Sequence, residues 1–232
     1  MSRVLRGADG GDVFVSVVSD GAGSASRSDV GAQVVCDTLM RCVTECVPAC
    51  ADLDELSDEL LGSWFLEVRD VLRAAALAAD VNVREYAATA VLALAGERQT
   101  LCAQIGDGAI VVRRAPDEPF EIVMWPQSGE YANQTYFVTD DDAPKHLEIR
   151  RDGHVSDLIA FSDGLQSLAL QLSTRSAYGP FFDPLVRVVR AADGANGKLG
   201  EALIAYLNSD AVNGRTDDDK SLAIGCRVSS GD

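Results

Sequence analysis

Three aspartates stand where an apolar run gives way to a glycine: Ser19-Asp20-Gly21, Gly106-Asp107-Gly108 and Ser162-Asp163-Gly164. A fourth acidic cluster, Asp217-Asp218-Asp219, precedes the last apolar run. Carboxylates at strand ends lie outside the alternating core positions and can gather at one edge of a sheet. Gathered there without a matching Lys or Arg, they repel one another, and a hard divalent cation relieves that repulsion. Mg²⁺ and Mn²⁺ take oxygen ligands and keep several waters, so few protein ligands suffice. Two such ions can activate a bridging water and neutralise a phosphoryl group. The plainer alternative is that Asp-Gly is a common turn dipeptide. That alternative suffices for any single turn, whereas the joint set speaks for convergence.

The surrounding pattern supplies strands to carry these turns. Val13 to Val18 is a compact apolar run that reads as a buried strand ending at Ser19-Asp20-Gly21. Ala88 to Ala95, Thr100 to Ile105 and Ala109 to Arg113 read as strands, and Gly106-Asp107-Gly108 predicts a hairpin between the last two. Phe120 to Trp125 and Gln134 to Thr139 are further strand candidates, as are Leu158 to Phe161 and Ser221 to Val228. Apolar residues at helical spacing predict helices from Asp29 to about Val47, ended by Pro48, and from about Leu56 to Ala79. Leu165 to Leu172, Pro184 to Ala192 and Leu199 to Leu207 also read as helices, and Asp210 to Lys220 as a polar loop. Helices in two blocks with strands between them, and no regular βαβ alternation, point to an α+β fold with an antiparallel core.

Composition bounds the partners. The chain has 232 residues, with 20 Lys+Arg against 36 Asp+Glu, a formal charge of −16. A domain is typically ~100–200 residues, so one large domain or at most two small ones are expected. A basic footprint for nucleic acid is lacking, and an anionic membrane is disfavoured for the same reason. No apolar run approaches the ~18 residues of a membrane span. The N-terminal residues have no long apolar region of the kind a signal peptide needs, so the cytoplasm is the expected compartment. Cysteines stand at 36, 42, 46, 50, 102 and 226. Cys42, Cys46 and Cys50 lack the tight pairing and fourth ligand of a zinc site, and they read as small thiols in a reducing compartment.

Five blocks, in order, resemble the metal-dependent type 2C Ser/Thr protein phosphatases. Ser19-Asp20-Gly21-Ala22-Gly23-Ser24 with Ser28-Asp29-Val30-Gly31-Ala32 is similar to the family's Asp-Gly-x-Gly block. Ala88-Thr89-Ala90-Val91-Leu92 is similar to its Thr-Thr strand, and Ile105-Gly106-Asp107-Gly108-Ala109 to its Gly-Asp-Ser block. Phe161-Ser162-Asp163-Gly164-Leu165 and Asp218-Asp219-Lys220-Ser221-Leu222 resemble its last two blocks. The stretch from Trp125 to Asn133 resembles a small bacterial branch, some members of which accompany kinases in operons.

The resemblance implies one domain over residues 1–232, built as two antiparallel sheets packed as a sandwich between helix pairs, a four-layer αββα fold. It implies a phosphoserine/phosphothreonine phosphatase acting through metal-bound water, with a phosphorylated protein as substrate and a Ser/Thr kinase as companion. Asp20 would bridge two Mg²⁺ or Mn²⁺ ions, with the Gly21 carbonyl as a further ligand or water anchor. Asp163 and Asp218 would complete the first metal, the block alignment favouring Asp218 over Asp219. Asp107 would match a third, weaker metal position. A flap from about Pro116 to His154 would shape substrate access.

Two features depart from the family pattern. Members carry an N-terminal strand with a Gln-Asp or Glu-Asp step after a phosphate-gripping Arg. Here Val4-Leu5-Arg6 resembles the strand after that step, and no Gln-Asp precedes Asp20. One ligand of the second metal is then absent, or the native start lies upstream. Asp9 and Asp12 read as solvated turn residues, and Arg3, Arg6 and Arg27 are weak substitutes for the grip. Position 22 is Ala where some eukaryotic members have a His proposed as general acid. A second reading follows, a non-catalytic relative that binds metal, kinase or phosphopeptide as a regulatory module. A third is an acidic scaffold whose Asp-Gly turns are only turns. His146, His154, Trp64 and Phe65 read as packing or surface residues, and Ser162 lacks the setting of a nucleophile.

Overall fold

Strands buried on both faces lose the polar alternation of a solvent-facing sheet and read as continuous apolar runs. The segments AVLALA, TLCAQI, AIVVR and DLIAF are of this kind, and every residue in them is buried in the computed structural model. The structure describes residues 1–129, 135–192, 194 and 197–228. The strands are β1 (Ser2–Arg6), β2 (Asp12–Val18), β3 (Ala90–Ala95), β4 (Thr100–Ile105), β5 (Ala109–Arg113), β6 (Glu121–Met124), β7 (Glu148–Asp152), β8 (Asp157–Phe161), β9 (Leu170–Gln171), β10 (Ser176–Ala177) and β11 (Leu222–Cys226). The helices are α1 (Ser28–Cys46), α2 (Asp58–Ala78), α3 (Ala143–His146), α4 (Gln166–Ala169), α5 (Gly179–Arg190), α6 (Gly197–Leu207) and α7 (Asp210–Asn213).

Two sheets form the middle of the molecule, one ordered β1-β2-β3-β4-β7 and the other β11-β8-β5-β6, with every neighbouring pair antiparallel. Alternate side chains of each strand serve different layers. Val15, Val17, Leu92 and Leu94 face α1 and α2, meeting Leu39, Phe65 and Leu72. Val18, Val91, Ala93 and Cys102 meet Ile110, Val112, Leu158 and Ala160 of the opposite sheet. Val111, Ile159 and Phe161 pack outward on Phe181, Phe182 and Val186 of α5 and on Leu207 of α6. The result is the expected α+β sandwich with helices on both outer faces. Each fully buried Leu or Val contributes roughly 1.5–3 kcal/mol to holding these layers together. Among the described residues no helix is long and apolar enough to cross a membrane.

Several expected elements differ. The Gly106-Asp107-Gly108 hairpin does not exist: β4 pairs with β3 and β7, and β5 with β6 and β8, so the turn crosses from one sheet to the other. Each strand's hydrogen-bonding edges are already filled, and Gly106, at φ +111°, makes the crossing. Of the strand expected at Gln134–Thr139, Gln134 lies outside the described residues. Residues 135–139 form no strand, because Phe137 N–H turns back to the Asp140 carboxylate (2.8 Å). The helix expected at Leu165–Leu172 stops at Ala169, where Leu170 becomes extended and pairs with Ala177. The helix expected from Pro184 starts earlier, at Gly179, with Pro180 in its first turn, where a missing N–H costs nothing. The polar loop Asp210–Lys220 begins with the short α7. Of the segment expected as a flap, Glu121–Met124 and Glu148–Asp152 are edge strands of the two sheets.

Candidate active site

The strand register decides where the aspartates go. In the first sheet Val18 pairs with Val91, Ala90 with Ile105 and Gln104 with Glu148. In the second, Phe161 pairs with both Ala109 and Leu222. Asp20 follows Val18, Asp163 follows Phe161, Asp218 precedes Leu222, and Asp107 lies between Ile105 and Ala109, on the crossing between sheets. All four therefore emerge at the same rim of the sandwich.

Asp20 and Asp163 touch through their carboxyl groups. Burial, this contact and the charges of Asp163 and Asp218 push the Asp20 carboxyl up to about 8. Burial also raises the Asp107 carboxyl, against the Thr135 hydroxyl that donates to its Oδ2 at 2.5 Å, with Asp163 and Asp218 adding repulsion. Asp218 is thus the member of the acidic triplet whose charge reaches the others. No Lys or Arg among the described residues forms an ion pair with Asp20, Asp107, Asp163 or Asp218. The Lys220 ammonium goes to the Asp218 backbone carbonyl instead (3.0 Å).

The turns are held by neighbours that motif reading did not single out for this task. Thr89, 4% exposed, donates and accepts around the first turn: its N–H reaches the Asp20 carbonyl (2.8 Å), and its hydroxyl accepts from Asp20 N–H (3.0 Å). Its own carbonyl takes the Ser19 hydroxyl (2.6 Å). Ser162, no nucleophile here, is buried and accepts from Ser221 N–H (3.0 Å), tying the Asp163 turn to the Asp218 loop. Gly164 is required at this junction, because a Cβ there would stand 2.1 Å from the Asp219 carbonyl oxygen. Gln166 donates to the Asp107 carbonyl (2.8 Å), and Gln104 to the carbonyls of Gly106 (2.8 Å) and Trp125 (3.2 Å). Buried Thr and Gln inside apolar runs were the available signal for these supports, since buried polar groups need partners.

Other candidates lie elsewhere. Asp12 pairs with Arg6 (3.3 Å), and Asp9 accepts from Gly11 N–H (2.9 Å), both at the end of β2 remote from Asp20. Arg27 donates to the Tyr86 hydroxyl (3.0 Å) and lies over its ring. His146 stacks on Tyr136, and His154 contacts the Glu97 carbonyl. Trp64 and Phe65 are core residues, and all six cysteines are free.

The donor set at the rim is all oxygen and carries uncompensated negative charge, which suits a hard divalent cation. Among the described residues no group of three or more His, Cys, Asp or Glu side chains is arranged to hold a metal ion. The direct Asp20–Asp163 contact is one that a shared proton or a cation must support, since two bare carboxylates repel.

Comparison with known proteins places this arrangement. A family model described as Protein phosphatase 2C matches residues 3–204. Serine/threonine-protein phosphatase 3 of Escherichia coli (strain K12) is 38% identical over 209 residues, covering 89% of this chain and 81% of that protein. The serine/threonine phosphatase Stp1 from Staphylococcus aureus shares the fold at a TM-score of 0.62 and 16% identity, over 98% of this chain and 88% of that one. PppA, described as a key regulatory component of T6SS in Pseudomonas aeruginosa, does so at 0.58 and 20%, over 96% and 88%. With its sheets, its ordered acidic turns and these matches in agreement, the chain belongs to the protein phosphatase 2C family.

Proposed function

We propose that the protein removes phosphate from phosphoserine and phosphothreonine in protein substrates, with Mg²⁺ or Mn²⁺ held at the aspartate rim. The observation that carries this reading is the emergence of Asp20, Asp107, Asp163 and Asp218 at one rim of a protein phosphatase 2C fold, with Asp20 against Asp163 and the charges of Asp163 and Asp218 reaching both Asp20 and Asp107. Asp20, the Gly21 carbonyl, Asp163 and Asp218 are the ligands proposed for two ions, and Asp107 for a third. Bound there, divalent cations supply an activated water and neutralise phosphoryl charge. The chain's own part is to hold the carboxylates in place through Thr89, Ser162 and Gln166, since catalysis tolerates only ~0.5 Å of misplacement. Ala22 brings no titratable group to the Asp20 loop. A Ser/Thr kinase is the companion that supplies such substrates. Free thiols suit the cytoplasm as compartment.

Turnover of a phosphothreonine peptide and of an aryl phosphate during a Mn²⁺ titration tests this. Asp20→Asn and Asp163→Asn should each lower turnover by about 10²–10³-fold, the scale of losing a group that stabilises developing charge. Retained activity in both variants would remove the reading. One observation favours a second reading, a regulatory module that binds metal or phosphopeptide without hydrolysis. Asp9 and Asp12, the aspartates preceding Asp20, serve a turn and an ion pair away from the rim. That reading requires Mn²⁺ to raise the melting temperature while no substrate turns over.

A further inference from the structure

An arginine stands beside the aspartate turns at the border of the second sheet. In β6, Met124 pairs with Ile110, so Trp125 follows toward the Ala109 end of β5, where the strand meets Asp107. The Trp125 carbonyl accepts from Gln104 Nε2 (3.2 Å), which also donates to the Gly106 carbonyl (2.8 Å) next to Asp107. The indole packs outward, on the cluster of Leu165 and Ala169 against which Ala177 of β10 also rests. The Arg175 guanidinium lies over the indole, 4.7 Å from the ring centroid. Arg175 is exposed and sits on the outer side of the second sheet, whereas the aspartates leave the strands of both sheets.

Two features set Arg175 apart. It occupies the loop between β9 and β10 at φ +50°, a conformation that among the described non-glycine residues only Asp80 shares. Glycine or asparagine ordinarily fills such a position, and a bulky side chain is strained there. Polar neighbours fix the turn: the Thr174 and Ser176 hydroxyls lie 2.8 Å apart, and Ser176 donates to Gln171 Oε1 (3.2 Å). The second feature is that the guanidinium makes no hydrogen bond or ion pair among the described residues, in a chain with 36 acidic residues. Lying over the indole, it keeps its N–H edge free, and that planar fork matches a carboxylate. An exposed contact with an aromatic face contributes little to folding, so stability alone does not account for arginine at a glycine position.

We propose that Arg175, braced on Trp125, reads an acidic residue flanking the phosphoserine or phosphothreonine of the substrate. This rests on the phosphopeptide reading of the rim given above. An extended peptide advances about 3.3 Å per residue, so a chain whose phosphoresidue sits at the aspartates crosses the border of the sheet within a few residues. The phosphoryl group itself is the poorer partner for Arg175, because the guanidinium is held outward with Trp125 and pairs with none of the rim carboxylates.

The test is fluorescence anisotropy of the full-length protein with Mn²⁺ and short labelled peptides, in which a non-hydrolysable phosphonate replaces the phosphate of phosphothreonine. One peptide has neutral flanks, and each of the others carries a single Asp at a different position on either side of the phosphonate. At one position or more, Asp should tighten binding about fivefold over the neutral peptide, the upper scale of an exposed ion pair, and the gain should fade in high salt. Arg175→Gly suits the backbone of the turn, so it should fold with an unchanged or higher melting temperature and lose that gain. No gain at any position, a gain that survives Arg175→Gly, or equal weakening of the neutral and acidic peptides by Arg175→Gly would each overturn the proposal while leaving the phosphatase reading in place. Failure of every peptide to bind would overturn it together with the phosphopeptide reading of the rim.

Discussion

Asp20 shows how a single side chain ties stability to the site. Burial first, then the Asp163 contact and the charges of Asp163 and Asp218, push its carboxyl from an ordinary 3.8 up to about 8 in the metal-free protein. The folded state therefore holds a proton that the unfolded chain gives up. The stability this proton contributes is complete below the unfolded value and is lost as pH rises toward the folded one. Asp107 shifts in the same direction and adds to the trend. The metal-free protein should melt at a lower temperature at about pH 8 than at about pH 5, and Asp20→Asn should flatten that slope. Mn²⁺ should raise the melting temperature more at the higher pH, since it takes the place of the protons. Scanning calorimetry across this range decides the point; a melting temperature that climbs with pH would contradict it.

At the scale of elements, close approach decides what a helix can carry. Gly31 in α1 faces the turn that ends at Tyr86, and a Cβ there would stand 2.1 Å from the Tyr86 carbonyl oxygen. Ala in a helix interior normally gains up to ~1 kcal/mol over Gly, whereas overpacking costs about 1–3 kcal/mol or more. Backbone cannot yield as a flexible side chain can, so the clash prevails. Gly31→Ala should lose about 1–3 kcal/mol in urea unfolding, and Gly62→Ala in α2, with open space around it, should gain up to ~1 kcal/mol. Equal effects of the two would refute the argument. The elements themselves were legible because periodicity is a local signal: Val35, Leu39 and Val43 mark α1, and AVLALA marks β3. Partnership between strands is not local. Gly106-Asp107-Gly108 has the chemistry of a hairpin turn, yet β4 pairs back with β3 and β5 onward with β6, and their remaining edges are taken by β7 and β8, farther along the chain. The aspartate turns could be read because their form repeats. The supports of Thr135 and Gln166 could not, since they meet Asp107 only after both sheets have closed.

The whole molecule divides its charges by end. Asp157, 1% exposed, opens β8 at the end away from the rim, and it receives Arg113 Nε (2.7 Å) and Arg190 Nε (3.0 Å). Arg113 also reaches Asp183 (3.2 Å) and stacks on Phe120, and Arg227 links the neighbouring β11 to the Gly96 carbonyl of the other sheet (2.8 Å). Asp163, just past the other end of β8, faces only further carboxylates and no cation among the described residues. One strand thus joins a carboxylate that stabilises the fold to one that strains it. The same substitution should act oppositely at its two ends. Asp157→Asn leaves the buried Arg113 and the half-buried Arg190 guanidinium groups short of counter-charge, and the buried Arg113–Asp157 pair sets an expected cost of about 3–5 kcal/mol. Its turnover should persist below the melting transition, since the rim is untouched. Asp163→Asn removes a repelling charge next to Asp20, so metal-free stability should hold or rise while turnover collapses. Urea unfolding paired with the phosphopeptide assay separates the two effects. Comparable loss of stability in both variants would mean that the rim carboxylates are not in conflict, and with that the reason for a cation at the rim would be gone.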